Sequence, residues 1–313
     1  AIHGGTITTF NDKQVHEILL RSGIKRHDFS QKHQGREWFE CSVETALAAI
    51  KAAKEGRFSI RADEMQSIDE SIEFRPEQRL AIDKTVKKFS NGGKAMLWNA
   101  KMRFGKTLTA LQVVKEMQFH RTIIITHRPV VDKGWFEDFH KIFNMMDGYD
   151  YGSREKGEPF ELLEKFAKKN PDAHYVYFAS MQDLRGAEMA GGKFDKNQAI
   201  LKADYDLLII DEAHEGTQTE LGQNVIKLLT KEKTKVLNLS GTPFNLLDDY
   251  KEDEIYTWDY VMEQKAKAEW DLNHFGDPNP YAGLPRLNIF TFDLGKALAG
   301  FEDIEDSAFN FKE

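Results

Sequence analysis

Short apolar segments that alternate with helical or turn-rich stretches constrain this chain most strongly. Five of them lie between residues 95 and 239: Ala95–Trp98, Thr122–Thr126, His174–Ala179, Leu207–Ile210 and Val236–Leu239. Strands that are buried on both faces of a parallel sheet read as unbroken apolar runs of this kind. The alternation predicts an α/β domain over residues 74–244, in which a mainly parallel sheet lies between helices and the crossovers are right-handed.

Two further regions and a linker complete the predicted organisation. Residues 1–56 are predicted to form a small N-terminal unit, α/β or helical, with helices over Asp12–Arg21 and Ser42–Lys54. Residues 57–73 are polar and weakly periodic, which is typical of a linker. Residues 245–313 form an acidic extension, in which helical spacing predicts a helix over Asp253–Glu269 and an apolar run predicts a strand over Arg286–Phe292.

Composition limits the classes of function. The longest apolar runs are far shorter than the ~20 residues of a membrane helix, so no membrane partner is expected. Cys41 is the one cysteine, which excludes an intramolecular disulfide and a thiolate metal cluster and favours a cytoplasmic location. The net charge is −8, but residues 245–313 carry 16 acids and 6 bases, so the remainder has a net charge of +2. Net charge therefore does not decide for or against a nucleic-acid partner.

Residues 100–107 (AKMRFGKT) fit the phosphate-binding loop pattern, with Ala100 in place of the first glycine. They follow a predicted strand and open a predicted helix, the context that this pattern requires. Backbone N–H groups at such a helix start surround phosphates, and the helix dipole favours the anion. Lys106 would place a cation on the β- and γ-phosphates, and the Thr107 hydroxyl would ligate Mg²⁺. A chance match to a short pattern is the alternative. The candidate ATP-binding residues here are Ala100, Lys101, Met102, Arg103, Phe104, Gly105, Lys106 and Thr107.

An acidic pair follows another predicted strand. Asp211 and Glu212 come directly after Leu207–Ile210, at the carboxyl end of a buried strand, where α/β sheets bind ligands. Asp211 would hold Mg²⁺, and Glu212 would orient and deprotonate the attacking water. The alternative is a solvated strand end that carries the acids of a helix N-terminus.

The turn Ser240-Gly241-Thr242-Pro243 follows the last predicted strand. It is either an ordinary turn or a sensor whose hydroxyls link His214 to a nucleic-acid surface. In order along the chain, the phosphate loop, the tetrapeptide Asp211-Glu212-Ala213-His214 and this turn resemble the motifs of superfamily 2 helicases and translocases of the DEAH type. The resemblance covers residues 74–244 and implies a RecA-like domain that binds ATP and Mg²⁺.

The same resemblance assigns further residues. Phe74, Arg75 and Gln78 match the segment that reads adenine in this superfamily, and a carboxamide can both donate to and accept from the base. The segments 126–129 and 180–182 resemble motifs that contact the nucleic-acid backbone. The residues implied by these two motifs are Thr126, His127, Arg128, Ser180 and Gln182.

Within the superfamily, the sequence resembles the motor subunits of type I and type III restriction systems. The resemblance rests on SGTPF at 240–244, YTWDY at 256–260 and Asn279-Pro280-Tyr281. It implies ATP-driven translocation on duplex DNA, with restriction–modification subunits as partners. An RNA or DNA-repair helicase, a non-catalytic nucleic-acid-binding module with a phosphate loop, and a phosphate-loop kinase remain as alternatives. The kinase is disfavoured because kinases lack the DEAH and SGTP motifs.

Two expectations concern the ends of the chain. VHEIL at 15–19 and GREWF at 35–39 resemble the distal part of a phage-type GIY-YIG nuclease, without its catalytic tyrosine strands. The alternative is that Trp38 and Phe39 anchor a small helical core. After Pro243 the sole arginine is Arg286, and the arginine-rich motif of a second motor domain is not found. Because an arginine finger is worth ~10³–10⁵ in turnover, we expect a motor fragment that hydrolyses ATP slowly.

Overall fold

The computed structural model describes residues 2–3, 6–7, 11–26, 38–61, 64, 72–127, 131–143, 148–212 and 219–284. Its N-terminal part contains an antiparallel pair of strands, Ile2–His3 (β1) and Thr6–Ile7 (β2), and two helices, Asp12–Arg21 (α1) and Val43–Lys54 (α2). Asn11 and Ser42 accept hydrogen bonds from backbone N–H groups in the first turns of these helices. Both predicted N-terminal helices are therefore confirmed.

The larger part of the chain alternates strands and helices. Its elements are α3 (Pro76–Ser90), β3 (Ala95–Ala100), α4 (Lys106–Met117), β4 (Arg121–Thr126), α5 (Asp132–Phe143), β5 (Tyr149–Gly152), α6 (Phe160–Lys169), β6 (His174–Ser180), α7 (Met181–Arg185), α8 (Gln198–Lys202), β7 (Leu207–Asp211), α9 (Glu220–Leu229), β8 (Lys235–Ser240), β9 (Ile255–Trp258) and α10 (Tyr260–Asn273). Seven of the strands form one sheet in the order β5-β6-β4-β7-β8-β3-β9. Every pairing in it is parallel, which confirms the predicted fold class.

The sheet separates two apolar clusters. One contains Trp98, Phe104 and Phe139 and is covered by α3, α4 and α5. The other contains Ile125 and Leu208 and is covered by the helices that follow β5, β6 and β7. Strands such as Leu207–Asp211 are buried along almost their whole length because both of their faces are covered. Each fully buried Leu, Ile or Phe stabilises the fold by about 1.5–3 kcal/mol relative to exposure.

Two strands of the sheet were not predicted, and one predicted helix is partly wrong. Residues 255–258 form β9, which pairs with β3 beside the phosphate loop, so Asp253–Glu269 is not one helix. Asp259 instead caps α10, because its side chain accepts a hydrogen bond from the Met262 N–H. The sheet therefore extends past residue 244, where the sequence analysis placed the end of the motor domain. The other unpredicted strand is β5.

The end of α1 and the predicted linker pack against the larger part of the chain. The Arg21 side chain donates hydrogen bonds to the carbonyls of Gly157, Arg154 and Ser153 at 2.7, 3.3 and 3.3 Å. The Glu158 carboxylate accepts bonds from the backbone N–H groups of residues 58 and 59. The described residues at the start of the linker are thus fixed in place rather than extended in solvent.

Next to α1, Gly23 lies against Phe136 of α5. It has a φ of +81°, and a Cβ at this position would lie 2.7 Å from the Phe136 ring. Phe39 packs on the small N-terminal core, whereas Trp38 is 63% exposed. Of the two aromatic residues proposed as anchors of a helical core, only Phe39 therefore has that position. Residues 35–37 of the nuclease-like segment lie outside the described residues.

Several other predicted features also lie outside the described residues. These are Arg128, His214 and the strand predicted at Arg286–Phe292. Within the part of the chain that the structure describes, no helix has the length and apolar character needed to cross a bilayer.

Candidate nucleotide-binding site

Parallel pairing brings the carboxyl ends of five strands into one row. Thr126 of β4 is in register with Ser180 of β6 on one side and with Asp211 of β7 on the other. On β8, Leu239 is in register with Asp211. The next residue, Ser240, is in register with Asn99 of β3. One strand thus separates the loop-bearing strand from the acidic strand, a distance of about 10 Å at the usual strand spacing. Residues from four separate motifs share this edge.

The phosphate-binding loop joins β3 to α4. Gly105 has a φ of +88°, and α4 begins at the next residue without a side-chain cap on its free N–H groups. Arg103 has a φ of +66° and Glu212 a φ of +52°; they are two of the four non-glycine residues with positive φ among the described residues. Left-handed backbone in ordinary residues is concentrated at binding sites, where the surrounding structure holds it. Lys106 Nζ donates a 3.0 Å hydrogen bond to the Ala100 carbonyl and so lies across the loop.

The Phe104 carbonyl in the same loop is held by the segment at the start of α3. It accepts hydrogen bonds from Arg75 Nη2 at 2.7 Å and Gln78 Nε2 at 2.8 Å. Gln78 Oε1 accepts a bond from the Arg75 N–H, and Phe74 packs against the main core. Gln78 therefore uses its amide to join the loop to α3, and its role in reading adenine stays a prediction. Sequence analysis identified these residues but not this loop-holding contact.

Asp211 lies at the end of β7, and β8 separates this strand from the loop-bearing β3. Burial and the neighbouring Glu212 raise the pKa of Asp211, whereas the charge of Lys106 and a hydrogen bond from Trp135 lower it. The Trp135 Nε1–H donates to Asp211 Oδ2 at 3.3 Å. Lys106 and Asp211 are thus electrostatically coupled across the intervening strand. Trp135 was missed by sequence reasoning, because nothing in its local sequence connects it with residue 211.

The turn after β8 lies against the phosphate loop. A Cβ built on Gly241 would lie 3.7 Å from the Ala100 carbonyl oxygen and 3.9 Å from Lys106 Nζ. Ser240 is fully buried, and its hydroxyl accepts a hydrogen bond from the Thr242 N–H at 3.1 Å, while Thr242 itself is exposed. The turn is therefore close enough to respond to a change in the loop.

The residues predicted to contact nucleic acid occupy the neighbouring strand ends. Thr126 is buried, and the Ser180 hydroxyl caps α7 by accepting a bond from the Asp183 N–H. Gln182 is exposed and lines a cavity of about 360 Å³ together with Ser180. The Nδ1 atom of His127 is buried and has no hydrogen-bond partner among the described residues. These four residues lie at the carboxyl ends of their strands, the same edge of the sheet from which the phosphate loop leaves β3.

The donor set at this edge fits a magnesium–nucleotide complex. Mg²⁺ is usually held by one or two carboxylates together with phosphate oxygens and water, rather than by a closed protein cage. Asp211 and the Thr107 hydroxyl are donors of that kind, and the uncapped start of α4 suits phosphate. The described residues contain no cluster of three or more His, Cys, Asp or Glu side chains able to hold a metal.

The parallel sheet between two layers of helices has the RecA-like α/β fold, with the predicted phosphate loop after β3. The family described as "Type III restriction enzyme, res subunit" matches residues 71–245, more than half of the chain. The chain belongs to this family of restriction-type motor subunits.

The chain also resembles individual proteins. A Mycoplasma pneumoniae protein, described as the C-terminal part of a type II restriction enzyme and methyltransferase, is 27% identical over 66% of this chain and 33% of its own length. The chain thus spans about a third of the curated relative that it matches. Among solved structures, the Sulfolobus solfataricus SWI2/SNF2 ATPase core with dsDNA has 20% identity, coverage of 58% of this chain and 35% of that one, and a TM-score of 0.41. The UvsW helicase of bacteriophage T4 is 17% identical, the match covers 61% of this chain and 62% of the helicase chain, and the TM-score is 0.41. The type ISP restriction–modification enzyme LlaBIII has 15% identity, coverage of 61% and 15%, and a TM-score of 0.42.

Proposed function

We propose that this chain carries the nucleotide-binding half of an ATP-dependent DNA translocase of restriction type. Family membership supports the class of motor, and the position of the phosphate loop beside Asp211 supports ATP and Mg²⁺ as its ligands. The protein would act on duplex DNA together with restriction–modification subunits. The residues with catalytic roles are Lys106, Asp211 and Glu212.

Each of these residues has a distinct role. The N–H groups at the start of α4 and the Lys106 ammonium would bind the β- and γ-phosphates, while Thr107 and Asp211 would hold Mg²⁺. When bound there, Mg²⁺ would supply positive charge to the phosphate oxygens. Glu212 orients the attacking water and accepts its proton on the carboxylate. Ser240, Thr242 and His214 couple the state of the phosphate loop to the nucleic-acid side of the sheet.

One observation carries this proposal. Lys106 and Asp211 are 105 positions apart in the sequence, yet the sheet places the strand that ends at Asp211 and the strand that leads into the phosphate loop on either side of β8. Gly241, which follows the strand that lies between them in the sheet, packs against the same loop. A partly buried acid and a loop lysine at the ends of nearby parallel strands are well placed to hold a charged ligand and its cation.

DNA would be bound at the neighbouring strand ends. The row of register partners continues from Asp211 through Thr126 to Ser180, and His127, Arg128 and Gln182 follow these strand ends in sequence. Hydroxyl, amide and backbone N–H groups are suited to contact phosphates without reading bases. We propose that these residues contact the DNA backbone.

We also propose a motor of the DEAH type that turns over slowly in isolation. After Pro243 the only arginine is Arg286, so residues 244–284 supply no arginine for the transition state. Loss of an arginine finger lowers turnover by ~10³–10⁵. Rapid hydrolysis by this chain with duplex DNA would contradict that part of the proposal.

Titration with a fluorescent ATP analogue and Mg²⁺ tests the nucleotide site. We expect K106A to abolish binding, and K94A to bind as the wild type does, because Lys94 contacts a carbonyl at the opposite end of β3. We expect E212Q to retain binding but lose hydrolysis. Equal binding by K106A and the wild type would refute the nucleotide site. Stimulation of ATPase activity by duplex DNA, single strands or RNA then distinguishes the translocase from an RNA helicase.

A further inference from the structure

The phosphate loop is fastened to the segment that follows the sheet through Lys101, its second residue. The Lys101 N–H donates a 3.0 Å hydrogen bond to the Trp258 carbonyl at the end of β9. Lys101 Nζ forms a 2.6 Å ion pair with Glu263 of α10 and lies 5.8 Å from the centre of the Tyr260 ring. Main chain and side chain of one loop residue are thus both held by residues 258–263.

Glu263 is an unusual residue for a helix to bury. It is 1% exposed and is the one residue of α10 that is fully buried, although a helix normally buries an apolar stripe. Its Oε2 atom is buried and has no hydrogen-bond partner among the described residues. A buried ion pair is often no more stabilising than apolar side chains of similar size. Stability alone therefore gives a weak reason for an acid at this position.

The other end of the loop is tied to the same segment. Arg75, which holds the Phe104 carbonyl, also pairs with the buried Glu77 carboxylate. The Glu77 carboxylate in turn accepts a 2.8 Å hydrogen bond from the Tyr281 hydroxyl. The backbone carbonyl of Glu77 accepts a 2.7 Å hydrogen bond from the Tyr256 hydroxyl. Residues 256–281 thus contact the loop at Lys101 and, through the Tyr256 ring, 6.2 Å from the Phe104 ring, also at Phe104.

We propose that Glu263 is a positioning residue for the phosphate loop, and that α10 is the element through which the shape of the loop can be altered. Acting through Lys101, Glu263 holds the first turn of the loop in the form that receives a nucleotide. Displacement of α10 separates Glu263 from Lys101 and releases that turn. By thermodynamic reciprocity, nucleotide binding then makes α10 more rigid. The inference rests on the proposed function, since it requires that the loop binds nucleotide.

The test compares nucleotide affinity in the full chain carrying E263A or E263Q. We expect E263A to raise the dissociation constant of the fluorescent ATP analogue on the order of tenfold, within the usual range of coupling between sites. E263Q keeps a hydrogen-bond acceptor but no charge, and we expect an intermediate effect. D253N is the matched control, because Asp253 lies just before β9 and forms an exposed 2.6 Å ion pair with Lys88. We expect D253N to bind within twofold of the wild type.

General loss of stability is controlled by L229A, which creates a cavity in the apolar cluster on the other face of the sheet. We expect L229A to lower the melting temperature but leave nucleotide affinity unchanged. Hydrogen exchange provides a second measurement: E263Q should speed exchange in residues 100–106 but not in 207–211. Nucleotide should slow exchange in residues 259–273 of the wild type, and in E263Q it should not.

The outcomes separate this inference from the proposed function. If the wild type binds nucleotide, K106A does not, and both Glu263 variants match D253N, Glu263 has no positioning role. The loss of nucleotide affinity could also follow the loss of stability in both L229A and E263A. In that case the effect of Glu263 is merely structural and the inference is wrong. If the wild type binds no nucleotide, the proposed function fails and the inference fails with it.

Discussion

His140 on α5 should make the stability of the protein depend on pH in the mildly acidic range. Its imidazole lies between Phe136 and Phe139, with ring centroids at 4.4 and 5.4 Å. Both ring nitrogens are buried and have no hydrogen-bond partner among the described residues, although the residue as a whole is only partly buried. Burial lowers the pKa of His140 from 6.5 to about 4, because nothing replaces the water that would stabilise an imidazolium.

The sign and size of the effect follow from that pKa. Below pH 6.5 the unfolded chain binds a proton at His140 that the folded state binds only near pH 4. The protein is therefore most stable, as far as this group is concerned, above pH 6.5, and it loses stability as the pH falls towards 4. With 1.36 kcal/mol for each pKa unit, lowering the pH from 7 to 5 should reduce the free energy of unfolding by about 2 kcal/mol through this group alone.

Urea unfolding at pH 7 and pH 5, followed by tryptophan fluorescence, measures this difference. We expect H140F, which keeps an aromatic ring without a titrating nitrogen, to lose about 2 kcal/mol less than the wild type between the two pH values. F143L is the control, since it perturbs the same cluster at a ring that packs on Phe139 and Tyr149, and it should destabilise equally at both pH values. The same pH dependence in H140F and the wild type would refute the reasoning.

Three further predictions concern backbone and site geometry. G105A should weaken binding of the ATP analogue at least tenfold, because φ is +88° and a Cβ would lie 2.6 Å from Gln78 Nε2; normal affinity in a titration would contradict this. G23A should cost about 1–3 kcal/mol more in thermal unfolding than G56A, since both glycines have positive φ but only a Cβ at Gly23 meets another atom within 4 Å. W135F should move the acidic limb of the ATPase pH profile to higher pH. The hydrogen bond from Trp135 lowers the pKa of Asp211, so its loss should raise that pKa. A profile of kcat against pH whose acidic limb does not move would exclude this role of Trp135.

The sequence predicted most of the sheet because its central strands are continuous apolar runs. Leu207–Ile210 reads as a buried strand from its residues alone, and the structure extends it only to Asp211. By contrast, β5 contains Asp150 and Gly152 and is a strand only because it pairs with β6. The four residues of β9 were predicted as helix because their apolar residues have apparent helical spacing. Asp259, which follows them, caps α10 and could have marked the boundary between strand and helix.

The candidate site was predictable only in part. The phosphate loop and the acidic pair have local patterns whose chemistry can be read directly, and the sheet brings their strand ends together. The contacts that hold them have no local pattern, since Lys101 and Glu263 are separated by 162 positions and Trp135 and Asp211 by 76. Such pairs arise from the packing of whole elements, which single-sequence periodicity does not specify.

The contacts at β5 have a consequence for shortened versions of this protein. β5 is the outermost strand on its side of the sheet, and the backbone carbonyls of the turn that follows it are occupied by the Arg21 side chain of α1. Unpaired groups on an outermost strand offer a template on which other chains can add strands and aggregate. Pieces that begin after residue 61 would lack Arg21, so the carbonyls of this turn beside the outermost strand would lose the donors that occupy them.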